Sequence, residues 1–277
     1  MQSALIIDLD KSLITSDTLV DSVSRCLSKN IFNIFKILFW LIKGKIFLKY
    51  NLTKYYPIKG SELIYRTEIL DFIRESKNEG KKIYLCSGSN KNQVKLVFEH
   101  LGLFDDYYGS SLNENLVGNN KKKFLEKKFG HKNFDYLADS IVDIPIWRSC
   151  KKAYLVNANS KVKSQLTKYN IGFNEIVKKD NFFQKLNKFF RVIRIYQWTK
   201  NLLIFLPIFL AQEFLLSNFI QATIAFICFS FVSSFVYVMN DFLDIANDRR
   251  HPNKKYRPIA SGNIDFLPLI LTIFIML

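Results

Sequence analysis

Residues 219–239, FIQATIAFICFSFVSSFVYVM, carry no charged side chain, and this run ends abruptly at Asn240 and Asp241. A run of that length meets the roughly 20 apolar residues that a membrane-crossing helix needs. The residues just beyond it constrain the chain further. Over residues 237–262, YVMNDFLDIANDRRHPNKKYRPIASG, the composition changes from Phe, Val and Tyr to carboxylates, an Asn and a cluster of Lys and Arg. Asp241, Asp244 and Asp248 stand at i, i+3 and i+7, so a helix continuing the apolar run places them on one face, with Asn240 four residues before Asp244. Carboxylates gathered in this way repel one another unless a cation lies between them. Mg2+ fits, because it binds a few carboxylates together with substrate phosphate oxygens. A charged cap on a membrane helix, with accidental spacing, is the alternative.

NDFLDIANDR followed by HPNKKYRPIASG resembles the first aspartate motif and adjoining loop of the UbiA-type prenyltransferases. Within them it looks most like the branch that joins a polyprenyl phosphate to phosphoribosyl diphosphate, the decaprenyl-phosphate phosphoribosyltransferase type. The resemblance implies that Asn240, Asp241, Asp244 and Asp248 hold Mg2+-diphosphate, while Arg249, Lys254, Lys255 and Arg257 neutralise phosphate charge. Upstream, R-x-x-Q-W-x-K-N, with Arg194, Gln197, Trp198, Lys200 and Asn201, resembles the entry to that family's first helix. There Arg194 and Lys200 would meet a lipid phosphate, or serve as plain interfacial anchors.

The N-terminal part has a different pattern. SALIIDLD reads as a buried strand ending in two acids, and ligand sites of parallel α/β sheets lie at the carboxyl ends of their strands. Asp8 and Asp10 alternate with Leu9 and so face the same side. One can attack phosphorus while the other handles the leaving-group proton. KKIYLCSGSN is a second strand, ending at Ser87, whose hydroxyl can bind a phosphate oxygen. Lys121 opens the helical stretch KKKFLEKKFG and can supply a cation. FDYLADSIVDIPIW gives a third strand with Asp139 at its end and Asp143 four residues on, the spacing of a Mg2+ site on a loop entering a helix.

This ordered set resembles the haloacid dehalogenase superfamily of phosphohydrolases over about residues 1–158. The resemblance implies Asp8 as nucleophile, Asp10 as general acid and base, Ser87 and Lys121 as phosphate binders, and a Mg2+ site drawn from Asp8, Asp10, Asp139 and Asp143. Two departures stand out: Lys11-Ser12 replaces the usual Gly-Thr, and Ala138 replaces a Gly.

The expected architecture is therefore an α/β Rossmann-like haloacid dehalogenase domain at 1–160, a basic linker with an interfacial helix at 161–191, and a partial UbiA-type membrane domain at 192–277. A helical cap is expected at about 17–56. Its core, NIFNIFKILFWLIKGKIFLKY, is strongly apolar, but Lys36, Lys43 and Lys45 leave no run long enough to span a bilayer. It reads as a helix packed on the active site or as one that also dips into the membrane interface. Residues 195–211 and 219–239 are expected as two membrane helices. Lys and Arg crowd their outer ends, so both ends and the N-terminal domain are expected on the cytoplasmic side of the inner (cytoplasmic) membrane, in a multi-pass protein. A net charge of +16 beside apolar runs points to anionic lipid rather than nucleic acid. The four scattered cysteines form no metal or redox motif.

The implied partners are membrane lipid, polyprenyl phosphate and a phosphorylated small molecule. FLPLILTIFIML begins a third apolar segment, with Asp265 alone before it and no second aspartate cluster after it. The chain thus reads as a truncated, split or frameshifted form of a longer transferase, lacking its C-terminal segment. The expected function is a Mg2+-dependent phosphatase joined to an incomplete transferase. Its alternatives are a membrane-anchored phosphatase and an inactive remnant.

Overall fold

Ala4–Ile7 forms strand β1, buried along its whole length because it lies at the centre of a parallel sheet with both faces covered. The computed structural model describes residues 4–262, 264 and 274, and it divides into two units, Met1–Asp180 and Asn181–Leu277. After β1, the first unit has three helices, α1 (Thr18–Lys29), α2 (Asn33–Ile42) and α3 (Lys45–Tyr55), at the place expected for a cap. The chain continues through α4 (Thr67–Asn78), β2 (Lys82–Asn90), α5 (Lys91–Leu101), β3 (Asp106–Ser110), α6 (Asn119–Phe129) and β4 (Phe134–Ala138). It then forms the short α7 (Ile144–Trp147), β5 (Ala153–Val156), α8 (Ser160–Lys168) and β6 (Phe173–Val177).

The six strands are all parallel, in the order β3-β2-β1-β4-β5-β6. Residues of β1 alternate between the two cores. Ala4 and Ile6 pack with Phe134, Tyr136 and Trp147 on one face, while Leu5 and Ile7 pack with Ile69, Ile83 and Val97 on the other. Ile7 pairs with Leu85 of β2 and Leu137 of β4, so the carboxyl ends of three strands are level. The strand order reverses beside β1, which opens a crevice at those ends.

Residues 161–180, expected as a basic linker, belong instead to α8 and β6 and complete the sheet. Their polar composition suits an edge: β6 pairs only with β5 and is partly exposed throughout. Lys11 adopts φ 57 in the turn behind β1, a region that costs an L-residue roughly 1–2 kcal/mol. The turn keeps its backbone bonds, Leu13 N to Asp8 O at 3.2 Å and Lys11 N to Ser16 O at 2.9 Å. Lys11 is thus accommodated with the turn intact.

The second unit begins with α9 (Phe182–Val192), closed by a capping box in which Asn181 and Gln184 exchange bonds of 2.8 and 2.9 Å. Ile195–Phe205 is a 3-10 helix and leads into α10 (Leu206–Ala211). Pro207 lacks the N–H that an α-helix already under way would need, so α-geometry starts only there. The first of the two expected membrane helices is therefore not one continuous α-helix. Its polar groups turn toward α11 (Leu216–Leu243): Trp198 Nε1 donates to Ser234 Oγ at 3.0 Å, and Asn201 Nδ2 to Ser230 Oγ at 2.9 Å.

Among the described residues, α11 alone is long and apolar enough to cross a membrane, and only 17% of its most apolar window is buried. A short helix, α12 (Ile245–Arg250), comes after it. Asp265 and, apart from Phe274, the third apolar segment at 266–277 lie outside the described residues.

Gly109 of β3 is held where α5 begins. A Cβ there would stand 2.6 Å from Lys91 Cα and 2.9 Å from its N, so backbone would have to move. Gly109→Ala is expected to destabilise the first unit by about 1–3 kcal/mol, read as a lowered midpoint of thermal unfolding of the full chain in detergent. An unchanged midpoint would show that this strand-helix contact is not tight.

Candidate active site

The level strand ends bring Asp8, Ser87 and Asp139 to one crevice, and the first turn of α6 adds Lys121 from the side. Lys121 is 2% exposed, and its Nζ lies 2.7 Å from Asp8 Oδ1. A lysine is rarely buried so completely without a carboxylate beside it. Asp8 Oδ2 accepts a bond from Ser12 Oγ at 3.2 Å, and the same hydroxyl lies 3.5 Å from Asp139 Oδ1. Asp143 accepts from Tyr136 OH at 2.9 Å, and the Lys121 ammonium stands 5.1 Å over the Tyr136 ring.

Asp10 is fixed from several sides. Its Oδ1 accepts from Thr18 N and Thr18 Oγ1, both at 2.7 Å, and its Oδ2 accepts from Ser87 Oγ at 3.2 Å and Ser89 Oγ at 2.5 Å. Thr18 caps the crevice from the start of α1. Lys49 of α3 reaches β2 between Ser87 and Ser89, donating to Gly88 O at 2.7 Å.

Three carboxylates share this pocket with Lys121, and their protonation reflects it. Burial, then the charges of Asp8 and Asp143, push the Asp139 carboxyl up to about 8. Burial raises Asp8 to about 6 against the opposing charge of Lys121. Asp143 is also raised by burial, with Lys121 and the Tyr136 hydroxyl opposing. Burial alone would lower Lys121, but the charges of Asp8 and Asp143 outweigh it and hold the ammonium protonated.

All six residues expected at this site, Asp8, Asp10, Ser87, Lys121, Asp139 and Asp143, lie in or against the crevice. Sequence reading missed Ser12, Thr18, Ser89, Lys49 and Tyr136. Ser89 was detectable in principle, since it is two residues past Ser87 on a strand and faces the same side. Thr18 and Lys49 carry no local signal, because they arrive from the cap.

The second unit corrects the expected convergence of three carboxylates. Asp241 and Asp248 are buried and meet at one guanidinium: Arg257 NH1 lies 3.1 Å from Asp241 Oδ1 and 2.9 Å from Asp248 Oδ2. Arg194 NH2 adds a 2.6 Å contact to Asp241. Asp244 and Asn240 are exposed. The helix breaks at Asp244, where φ is −93 and ψ is 7, and the break takes its side chain off the face that Asp241 and Asp248 share. Lys254 stands 4.0 Å from Asp248, Arg249 Nε donates to Ala260 O at 2.7 Å, and Lys200 and Lys255 are exposed. Among the described residues no three His, Cys, Asp or Glu side chains are grouped as a metal site in either unit.

No protein-family model matches the chain. It is 32% identical over 276 residues, 99% of its length, to the uncharacterized protein y4nM of Sinorhizobium fredii, and it spans 52% of that protein. Over 76 residues it is 41% identical to the nodulation protein NoeC of Azorhizobium caulinodans, covering 27% of this chain and 24% of that one. Over 75 residues it is 39% identical to the decaprenyl-phosphate phosphoribosyltransferase of Corynebacterium glutamicum, covering 26% and 23% respectively. The chain thus spans about half or less of the length of these relatives. Among solved structures, an apo phosphoserine phosphatase aligns with 65% of this chain and 96% of its own, at TM-score 0.48 and 18% identity. A phospho-aspartyl intermediate analogue of phosphoserine phosphatase aligns with 68% and 99%, at TM-score 0.44 and 17% identity.

The raised carboxyls set a pH dependence. Folded Asp139 keeps its proton to about pH 8, whereas its ordinary value is 3.8, so the folded state binds more protons across that interval. Stability of the metal-free protein should therefore fall as pH rises from about 4 to about 8. Asp139→Asn should flatten this slope in thermal unfolding measured at several pH values. An unchanged slope would place the titration elsewhere.

Proposed function

We propose that the first unit is a Mg2+-dependent phosphohydrolase of the haloacid dehalogenase type, acting on a phosphate ester through an aspartyl-phosphate. The observation that carries this reading is the buried Asp8–Lys121 pair at the end of the central strand, with Asp10 held two residues on by four donors. In the first step a carboxylate oxygen of Asp8 attacks phosphorus, the ester P–O bond breaks, and Asp10 gives a proton to the departing alkoxide. In the second, Asp10 takes a proton from water as it attacks the same phosphorus, the bond to Asp8 breaks, and inorganic phosphate leaves. Lys121, with Ser87, balances charge on the phosphoryl oxygens.

The hard oxygens of Asp8 and Asp139, bridged by Ser12 and backed by Asp143, suit Mg2+, which needs only one or two carboxylates when phosphate completes its shell. When bound, Mg2+ supplies positive charge that relieves carboxylate-phosphate repulsion. The crowding that holds a proton on Asp139 is the same crowding such a cation would relieve.

For the second unit we infer a place in a UbiA-type transferase that uses polyprenyl phosphate and a diphosphate donor such as phosphoribosyl diphosphate, with the protein multi-pass in the cytoplasmic membrane and the first unit in the cytoplasm. The similarity to decaprenyl-phosphate phosphoribosyltransferases over about a quarter of the chain supports this. A phosphorylated product of that transfer would then be the substrate of the phosphatase. A second reading, a phosphatase that α11 merely anchors, is favoured by the way Arg194 and Arg257 already neutralise Asp241 and Asp248.

Full-length protein in detergent with Mg2+ should release phosphate from p-nitrophenyl phosphate and sugar phosphates, and Asp8→Asn should lower the rate by roughly 10³-fold or more without unfolding the chain. Equal rates for the two proteins would sink the hydrolase reading. Transfer of labelled phosphoribosyl to polyprenyl phosphate separates the transferase reading from the anchor.

A further inference from the structure

Helix α2 is only loosely covered by protein. Asn33 and Ile37 are its buried residues, and Asn33 Nδ2 ties it to Cys26 O at 2.9 Å. Around that narrow stripe Phe35 is 67% exposed, Phe39 53% and Ile42 86%, with Phe32 at 71% in the turn before it. Leu38 and Leu41 are exposed as well. A contiguous apolar surface of this kind is seldom left to water. Ten residues at about 1.5 Å each reach only about 15 Å, half the thickness of a bilayer core, so the helix can lie in a membrane surface but cannot cross it.

The charge pattern selects the partner. Residues 22–61 contain eight Lys and Arg and no Asp or Glu. Lys29, Lys36, Lys43, Lys45, Lys54 and Lys59 are all exposed. The Lys43 ammonium lies 4.6 Å over the Phe39 ring and 5.3 Å over that of Phe47, an exposed cation set against the apolar surface. Trp40 and Tyr55 stack at 6.0 Å between α2 and α3, a pairing of the two side chains that favour membrane interfaces. Two copies of such a surface would bring like charges together, whereas anionic head groups complement it.

We propose that α2 and its flanking lysines form a membrane-contact surface for anionic lipid, separate from α11, with α2 lying in the head-group region. The inference stands whether or not Asp8 is a nucleophile. Its consequence for the crevice is mechanical, because α3 packs on α2 and carries Lys49, bonded to Gly88 O between Ser87 and Ser89.

The test uses the full chain with Cys228→Ser, since the other cysteines, Cys26, Cys86 and Cys150, are buried. A single cysteine replaces Phe35, Phe39 or, as a control on α5, the exposed Lys95, and carries an environment-sensitive fluorophore. In vesicles with about 30% phosphatidylglycerol, labels at 35 and 39 should be quenched by shallow spin-labelled lipid at least about threefold more than the label at 95, and protected from iodide. In pure phosphatidylcholine the difference should shrink. Iodide quenching at 35 and 39 equal to that at 95 would overturn the proposal. So would equal lipid quenching in both vesicle types, which removes anionic lipid as the partner. Shielding that persists in dilute detergent would assign the surface to a protein or to a second copy instead.

Discussion

A lysine ammonium with almost no access to water needs a carboxylate within reach, and in the first unit that need organises the crevice. Lys121 meets Asp8 at 2.7 Å, in surroundings that also hold Asp139 and Asp143. Leaving one member of such a pair alone costs about 3–5 kcal/mol, so β1 and the start of α6 must approach each other closely. The pairing of β1 with β2 and β4 sets their ends level and gathers the remaining polar groups at the same place. Ser12 then serves as a second donor to buried Asp8, and Thr18, Ser87 and Ser89 as donors to the partly buried Asp10.

The second unit resolves a similar problem differently. Asp241 near the end of α11 and Asp248 in α12 are both buried, and Arg257 bridges them while Arg194 comes to Asp241 from before the 3-10 segment. Guanidinium donors suit this task because their planar fork can serve two carboxylates at once. Both units thus bury acids beside cations. In the first, Asp8 and Asp143 face the Lys121 charge while Asp139 faces those two acids, and all three keep raised proton affinities; in the second, two acids share two arginines.

Much of the sheet was legible along the chain. β1 and β4 are short apolar runs that end in acids, and burial on both faces leaves that pattern in the sequence. β6 was not legible, because an edge strand half open to water keeps polar residues and resembles a linker. The helices over 18–55 were legible as an apolar insertion, but which of their two readings holds, packed helix or interfacial helix, was not. Apolar periodicity shows that α2 has side chains to hide and does not say what hides them. Spacing also misjudged Asp244, since i, i+3 and i+7 share a face only while the helix runs unbroken.

By itself the sequence determined which residues stand at strand ends and which run is apolar enough for a membrane, because side-chain alternation and hydropathy are local properties. Tertiary structure alone decided the partners: Lys121 with Asp8, Arg257 between Asp241 and Asp248, Thr18 and Ser89 on Asp10. The physical reason is that the strength of a charge pair or hydrogen bond depends on how completely water is excluded around it. Exclusion of water is a property of packing in three dimensions, and no spacing along the chain carries it.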